Sequence, residues 1–172
     1  GYDMYLSLLG DAIAEGKGEV REEKTECLVD IRIEAHIPED FIPDNAQRLD
    51  IYRKIAGVRT QEDAMDVSDE IIDRFGDLPE AVHGLITVAL LRNRAAAAHI
   101  KEIAQKDNTL VFYSDSIDPQ KALALATSYR DRCSINSGKR PGLAVRLAMG
   151  QQPLDLMREV LEQLAPEPAE EK

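Results

Sequence analysis

The residues best suited to chemistry in this chain are acidic, and they are concentrated between Glu62 and Glu80. This segment contains eight acidic residues and one basic residue, Arg74, in a chain whose net charge is −11 at pH 7. Paired carboxylates can act as general acid and base when they face a pocket. Here they follow helical spacing on a surface, which indicates either a solvated helix face or a docking surface for a basic partner.

The density of like charge is highest along the helix predicted for residues 61–75. Four acidic residues recur there at helical spacing, opposite the apolar stripe of Val67 and Ile71, and a fifth lies alongside them. These five residues, called the acidic ridge below, are Glu62, Asp66, Asp69, Glu70 and Asp73. Like charges four residues apart destabilise a helix by about 0.2–0.5 kcal/mol per pair, and aspartate is a poor helix former. Interleaved lysines would avoid this cost, so composition leaves both the solvated face and the docking surface open.

None of the usual catalytic motifs is present in the sequence. The histidines His36, His83 and His99 lie on three different predicted elements, and we predict structural or surface roles for them rather than a metal site. The loop Ser137–Arg140 superficially resembles a phosphate-binding loop, but Cys133 stands where the earlier glycine is required. Neither G-x-S-x-G nor G-x-G-x-x-G occurs. We therefore predict no catalytic, cofactor or metal site, and keep an enzyme whose site assembles only in three dimensions as an alternative.

Composition limits the class of protein. With 172 residues, of which 44% are hydrophobic, the chain is expected to form one domain, or one domain with an appendage. Its pI of about 4.7 argues against a protein that binds the phosphate backbone of nucleic acids. No apolar run approaches the roughly 18–20 residues that cross a bilayer, and no signal peptide is recognisable. We expect a cytoplasmic protein without membrane contact, in which Cys27 and Cys133 are apolar core residues rather than a disulfide.

The N-terminal segment is expected to belong to something other than the main domain. Residues 1–16 have helical periodicity, and residues 17–26 are polar and read as a linker. The absence of an initiator methionine predicts a fragment of a longer protein. The main domain is predicted for residues 27–164, followed by a disordered acidic tail over residues 165–172. Alternation of apolar and polar side chains predicts a half-buried strand over residues 27–37.

Helices are predicted early in the main domain and strands late. The first helix is expected to be capped by Asp44 and to run to about Ala56. The second is expected to be capped by Thr60 with Asp63 and closed by Gly76. Its inward positions are predicted to be Ala64, Val67, Ile71, Ile72 and Phe75. A third, buried helix is expected from a cap at Asp77, with Pro79 in its first turn, to Ala98. Later elements are strands near 100–104, 109–114, 133–136 and 143–149, and helices near 119–131 and 153–164. This order predicts the α+β class, with a mixed sheet and packed helices.

Four motifs in this order resemble the C-terminal region of the bacterial transcription-repair coupling factor (Mfd) family. They are Gly1–Leu9, Ala35–Asp44, Arg48–Arg53 and Asp73–Pro79. The resemblance is specific from Gly1 to about Ala98 and loose beyond it. It implies a parent protein that is a large ATP-dependent DNA translocase. Such a parent binds double-stranded DNA, displaces stalled RNA polymerase and recruits the excision-repair protein UvrA.

The resemblance also implies a regulatory role for this chain. Residues 1–16 would be the last helix of the second RecA-like motor domain, and the rest a terminal domain outside the motor. ATP and Mg²⁺ would bind in the parent's motor and not in this fragment. In the family the terminal domain packs on an N-terminal module similar to part of UvrB, which hides the UvrA-binding surface and restrains the motor.

The acidic ridge thereby acquires a candidate partner, the UvrB-like module. The hypothesis is that Asp66, Asp69, Glu70 and Asp73 make the contact, while Arg74 and Phe75 hold the corner between two helices. A stand-alone hydrolase and a nucleic-acid-contacting accessory domain remain as alternatives. The first would need a pocket with perturbed carboxylates. The second would need a basic groove, for which the pairs Arg92/Arg94 and Lys139/Arg140 are too sparse.

Overall fold

The structure, a computed structural model, describes residues 26–166. The predicted helix over residues 1–16, nearly all of the linker and residues 167–172 of the tail lie outside the described residues. The predicted domain limits therefore stay predictions. Within residues 26–166 the chain divides into two units. One comprises residues 34–93, and the other comprises residues 26–33 together with 94–166.

The elements confirm the α+β class. In chain order they are β1 (Leu28–Asp30), α1 (Asn45–Ala56), α2 (Gln61–Phe75), α3 (Glu80–Ala97), β2 (Glu102–Lys106), β3 (Thr109–Tyr113), α4 (Pro119–Tyr129), a 3₁₀ turn (Arg130–Arg132), β4 (Cys133–Asn136), β5 (Gly142–Arg146) and α5 (Pro153–Leu164). The strands form one mixed sheet in the order β1-β2-β3-β5-β4. Among the strands of residues 26–166, only the β1–β2 pair is parallel, and the other three pairs are antiparallel.

The sheet buries one row of apolar side chains across its three central strands. Ile103 pairs with Phe112, and Phe112 pairs with Leu143, and all three are fully buried. Helix α5 contacts β3 and α4, and its apolar residues recur at helical spacing. Those that are buried are Leu156, Met157, Val160, Leu161 and Leu164. Asp118 caps α4 by accepting a 2.9 Å hydrogen bond from the Gln120 N–H.

The predicted strand over residues 27–37 is wrong in length. Side chains do alternate between buried and exposed from Cys27 to Ile37, but strand pairing covers only Leu28–Asp30. Beyond Asp30 the backbone finds other acceptors. The Arg32 N–H donates to Gln105 Oε1 at 2.8 Å, and the Ile37 N–H donates to the Tyr52 hydroxyl at 2.9 Å. Alternation sets the direction of side chains, whereas a strand also requires a neighbouring strand, and β2 pairs with β1 only as far as Ala104.

Two further boundaries differ from prediction. Helix α3 begins at Glu80, so the predicted cap at Asp77 and the placement of Pro79 in the first turn are wrong. The N–H groups of Val82 and His83 both donate to the Pro79 carbonyl, which places Pro79 just before the helix. Gly142, which lies outside the strand predicted for residues 143–149, is the first residue of β5.

The unit of residues 34–93 is helical. Helix α1 buries Ile51 and Ile55, and α2 buries Ala64 and Ile71. The predicted burial of the third helix is confirmed, since Leu85–Leu91 is buried except for Thr87. Within residues 26–166, no helix has both the length and the apolarity needed to cross a membrane. Within the described residues neither cysteine forms a disulfide; Cys27 is buried and Cys133 is half-buried.

Candidate partner-binding surface on α2

The two ends of α2 are set by the capping chemistry that the sequence predicts. The Asp63 N–H donates to Thr60 Oγ1 at 3.0 Å, and Asp63 Oδ2 accepts from the Thr60 N–H at 3.1 Å and the Arg59 N–H at 3.0 Å. At the other end, Gly76 has φ +101° and donates its N–H to the Ile72 carbonyl. A side chain is strained at that φ, which explains the glycine. The helix therefore starts and stops at defined residues, and its surface positions are fixed.

The capping carboxylate predicts a specific pH dependence. Hydrogen bonds from the backbone N–H groups of Arg59 and Thr60 lower the pKa of Asp63 in the folded chain. The unfolded chain then binds a proton at higher pH than the folded chain does, near the ordinary value of about 3.9. The stability due to this carboxylate is thus present above about pH 4 and disappears as the pH falls through the folded pKa.

We expect Asp63→Asn to lower the free energy of unfolding, measured with urea, at pH 7. The difference from wild type should shrink steadily between about pH 5 and pH 3, because the wild-type carboxylate becomes protonated. Asp40→Asn, which removes one exposed carboxylate before α1, controls for the change in net charge. A wild-type-to-variant difference that stays constant over this range would exclude the carboxylate as its source.

Glu70 differs from the other residues of the acidic ridge because its carboxylate takes part in an ion-pair network. Its Oε2 lies 2.5 Å from Lys54 Nζ and 3.1 Å from Arg74 Nη1. Asp50 completes the network, at 3.4 Å from Lys54 and 3.7 Å from Arg74. The hydrogen bond from Lys54 lowers the pKa of Glu70, and the bond from Arg74 acts in the same direction. Half-exposed pairs such as these contribute little stability singly, but together they join α1 to α2 at a defined position.

The remaining members of the acidic ridge face solvent. Asp66, Asp69 and Asp73, called the outer aspartates below, are all exposed, as is Glu62. Among residues 26–166, no hydrogen bond or ion pair engages the side-chain carboxylates of the three outer aspartates. Their carboxylates remain available to an external cation or basic side chain, whereas that of Glu70 is already compensated.

Arg74 and Phe75 lie at the C-terminal end of α2, where the helix meets Gly76. The Arg74 guanidinium carbon lies 4.9 Å from the centroid of the Phe75 ring. The Phe75 ring also lies 6.1 Å from that of Phe41, tilted by 54°. Arg74 therefore contacts both the α1–α2 ion-pair network and an aromatic pair. Their role in holding the corner stays a prediction.

Two exposed apolar side chains were not anticipated on this helix. Met65 is 58% exposed, and Ile72, expected to point inward, is 42% exposed. Successive residues on a helix are turned by about 100°, so Ile71 and Ile72 cannot share the same inward face. The signal in the sequence was the seven-residue spacing of Met65 and Ile72, which places them on one side of the helix two turns apart.

A cavity of about 110 Å³ lies in the other unit, and its lining includes Ala98, Ile100, Ile117, Lys121 and Leu164. Small-molecule sites are typically about 300–1,000 Å³. Within the described residues, no cluster of three or more His, Cys, Asp or Glu side chains could hold a metal ion.

Comparison with known proteins identifies a family of proteins that are similar in sequence to this chain. A family model of the TRCF domain matches residues 31–124. The transcription-repair-coupling factor of Bacillus subtilis is 33% identical over 153 residues, which cover 85% of this chain. The chain belongs to the transcription-repair-coupling factor family. The Escherichia coli member is 34% identical over 108 residues, covering 60% of this chain.

The fold agrees with a solved structure from this family. The crystal structure of the C-terminal domain of transcription-repair coupling factor superposes with a TM-score of 0.73. That alignment covers 83% of this chain and 92% of the solved chain at 19% identity, which establishes the shared fold. This chain spans only 13% of the length of the Bacillus subtilis family member and 9% of the Escherichia coli one.

Proposed function

We propose that this chain is the C-terminal autoinhibitory domain of a transcription-repair coupling factor. The parent would be an ATP-dependent DNA translocase that releases stalled RNA polymerase and recruits UvrA for transcription-coupled repair. In the resting parent the chain docks on the UvrB-like N-terminal module and masks the UvrA-binding surface. The observation that supports this proposal is the exposure of the outer aspartates on a helix whose ends and position are held by local bonds.

A docking surface explains the outer aspartates better than a solvated face does. Asp66 precedes Glu70 by four residues, and Asp69 precedes Asp73 by four, so each pair costs helix stability. Lys54 and Arg74 offset the charge of Glu70, but no basic residue within 26–166 compensates the outer aspartates. A surface held in place before binding loses less entropy when it docks. A basic face on the UvrB-like module would complete the charge balance.

The remaining parts of the proposal concern the parent. ATP and Mg²⁺ would bind in its motor domains, and double-stranded DNA would be the track of the motor. The predicted cytoplasmic location belongs to the same proposal. The nucleic-acid alternative gains no support from Arg140, because this residue is engaged by Glu102 and lies 3.9 Å from the centroid of the Tyr113 ring. The hydrolase alternative gains none from the 110 Å³ cavity.

The proposal is tested by mixing the 172-residue chain with the separate UvrB-like module. We expect binding at about 50 mM salt that weakens as the salt concentration rises. The Debye length is about 10 Å at 0.1 M and about 3 Å at 1 M, so contacts between exposed charges are screened over this range. Calorimetry or fluorescence anisotropy measures the dissociation constant. Absence of binding at low salt would contradict the proposal. A dissociation constant that does not change with salt concentration would show that the outer aspartates do not contribute to the contact.

A further inference from the structure

Met65 and Ile72 lie on one flank of the outer aspartates. At about 100° per residue, both fall on the same side of Asp73, whereas Glu70 falls on the other side. The Glu70 flank is occupied by its bonds to Lys54 of α1. The opposite flank thus presents two exposed apolar side chains beside exposed carboxylates. Within residues 26–166, helix α2 therefore has one side bonded to α1 and another, called the open side below, that presents Met65 and Ile72.

The open side combines two kinds of contact that protein interfaces use together. Single exposed apolar residues are ordinary on protein surfaces. Two large ones at positions i and i+7 match the spacing with which a helix anchors in an apolar groove. Charged neighbours set orientation and the rate of association, while buried apolar anchors set how slowly the complex dissociates.

We infer that Met65 and Ile72 are the apolar anchors of the interface, and that they enter an apolar groove edged by lysine or arginine side chains. This inference rests on the proposed function, and the occupant to which it commits is the UvrB-like module. The outer aspartates favour a partner whose groove is edged by basic side chains, because these would neutralise their carboxylates. A second copy of this chain, with a net charge of −11, and an anionic membrane would both be repelled by the same carboxylates.

Oxidation by hydrogen peroxide tests the contact directly. Peroxide transfers one oxygen atom to the thioether sulfur of methionine, giving the sulfoxide and water. Met149, which is fully exposed at 105%, serves as the internal reference for Met65. Mass spectrometry would follow both sulfoxides in the full-length parent and in the 172-residue chain. We expect Met65 to oxidise about tenfold more slowly, relative to Met149, in the parent than in the chain. Equal relative rates would overturn the inference.

A pair of variants provides a second measurement. In the full-length parent, Met65→Gln with Ile72→Gln should raise UvrA binding about tenfold at both low and high salt, because the lost contact is apolar. Leu123→Gln with Met149→Gln, which changes two exposed apolar residues of the other unit, should leave it unchanged. Equal UvrA binding by wild type and the Met65/Ile72 variant would overturn the inference.

The two proposals fail in distinguishable ways. Replacing the outer aspartates by asparagine could raise UvrA binding by the parent while Met65 oxidises at the same relative rate in the parent and in the chain. In that case the inference about the apolar anchors fails and the proposed function stands. If neither set of variants changes UvrA binding, the proposed function itself is wrong.

Discussion

Replacing the outer aspartates Asp66, Asp69 and Asp73 by asparagine in the full-length parent is expected to raise UvrA binding and basal ATPase activity. A coupling free energy of the usual size, about 1–3 kcal/mol, corresponds to a change of roughly 5- to 150-fold. The reason is that the proposed contact between α2 and the UvrB-like module loses its charge complementarity, while helix α2 itself remains intact. The variant is measured by titration with UvrA and by ATP turnover without DNA.

Asparagine is chosen so that the substitutions change the charge of α2 without unfolding the domain. The three side chains are exposed and make no bond within residues 26–166. Removing the pairs of like charge should, if anything, strengthen the helix. Glu70 is left unchanged because its replacement would break the network with Lys54 and Arg74 and disturb the packing of α1 on α2.

The matched control removes three charges from the other unit. Asp107→Asn, Asp155→Asn and Glu162→Gln together make the same change in net charge at exposed positions. Asp107 has φ +54°, a conformation that asparagine also tolerates. The control should behave as wild type. Equal activation by both triple variants would show that net charge, and not the surface of α2, controls the parent.

Gly142→Ala is expected to destabilise the 172-residue chain by about 1–3 kcal/mol or more, as overpacking does. Gly142 begins β5, where it pairs with Tyr113 on one side and Asn136 on the other. A Cβ atom there would lie 2.6 Å from the Phe112 carbonyl oxygen and 3.2 Å from Tyr113 Cα. Both are backbone atoms of the central strand β3, so the clash can be relieved only by moving strands apart.

Chemical denaturation measures the effect, and Gly57→Ala is the control. Gly57 has an ordinary φ of −84°, and its added Cβ would meet nothing closer than 3.5 Å. There, alanine should be neutral or stabilising by about 0.4–1 kcal/mol through the unfolded chain. If Gly142→Ala proved as stable as wild type, the close approach of β5 to β3 would be refuted.

Gly142 also illustrates where prediction from the sequence stops. Its neighbours Ser137–Pro141 have turn composition, and glycine is a common turn residue, so local chemistry placed it outside the strand. The need for glycine arises from Phe112, thirty positions earlier in the chain. A contact at that distance leaves no signal in local composition, because it depends on which strands become neighbours.

The ends of α2 were predictable for the opposite reason. A capping box involves residues three positions apart, and a C-terminal glycine acts on the last turn of its own helix. The capping roles of Thr60, Asp63 and Gly76 can therefore be predicted from the sequence alone, and the structure confirms all three. Strand β1 lies between these cases. Its alternation was readable, but its length depended on the pairing of Leu28–Asp30 with Glu102–Ala104.

By itself, the sequence determined the family motifs, the α+β class, the two ends of α2 and the concentration of acidic residues on that helix. All of these depend on residue type and on spacing within a few turns. Only the tertiary structure decided that Glu70 is bound by Lys54, sixteen positions away, while Asp66, Asp69 and Asp73 stay free. It also decided that Ile72 remains in solvent. Ion pairing and burial depend on neighbours that packing brings together, and the spacing of residues along one helix does not specify them.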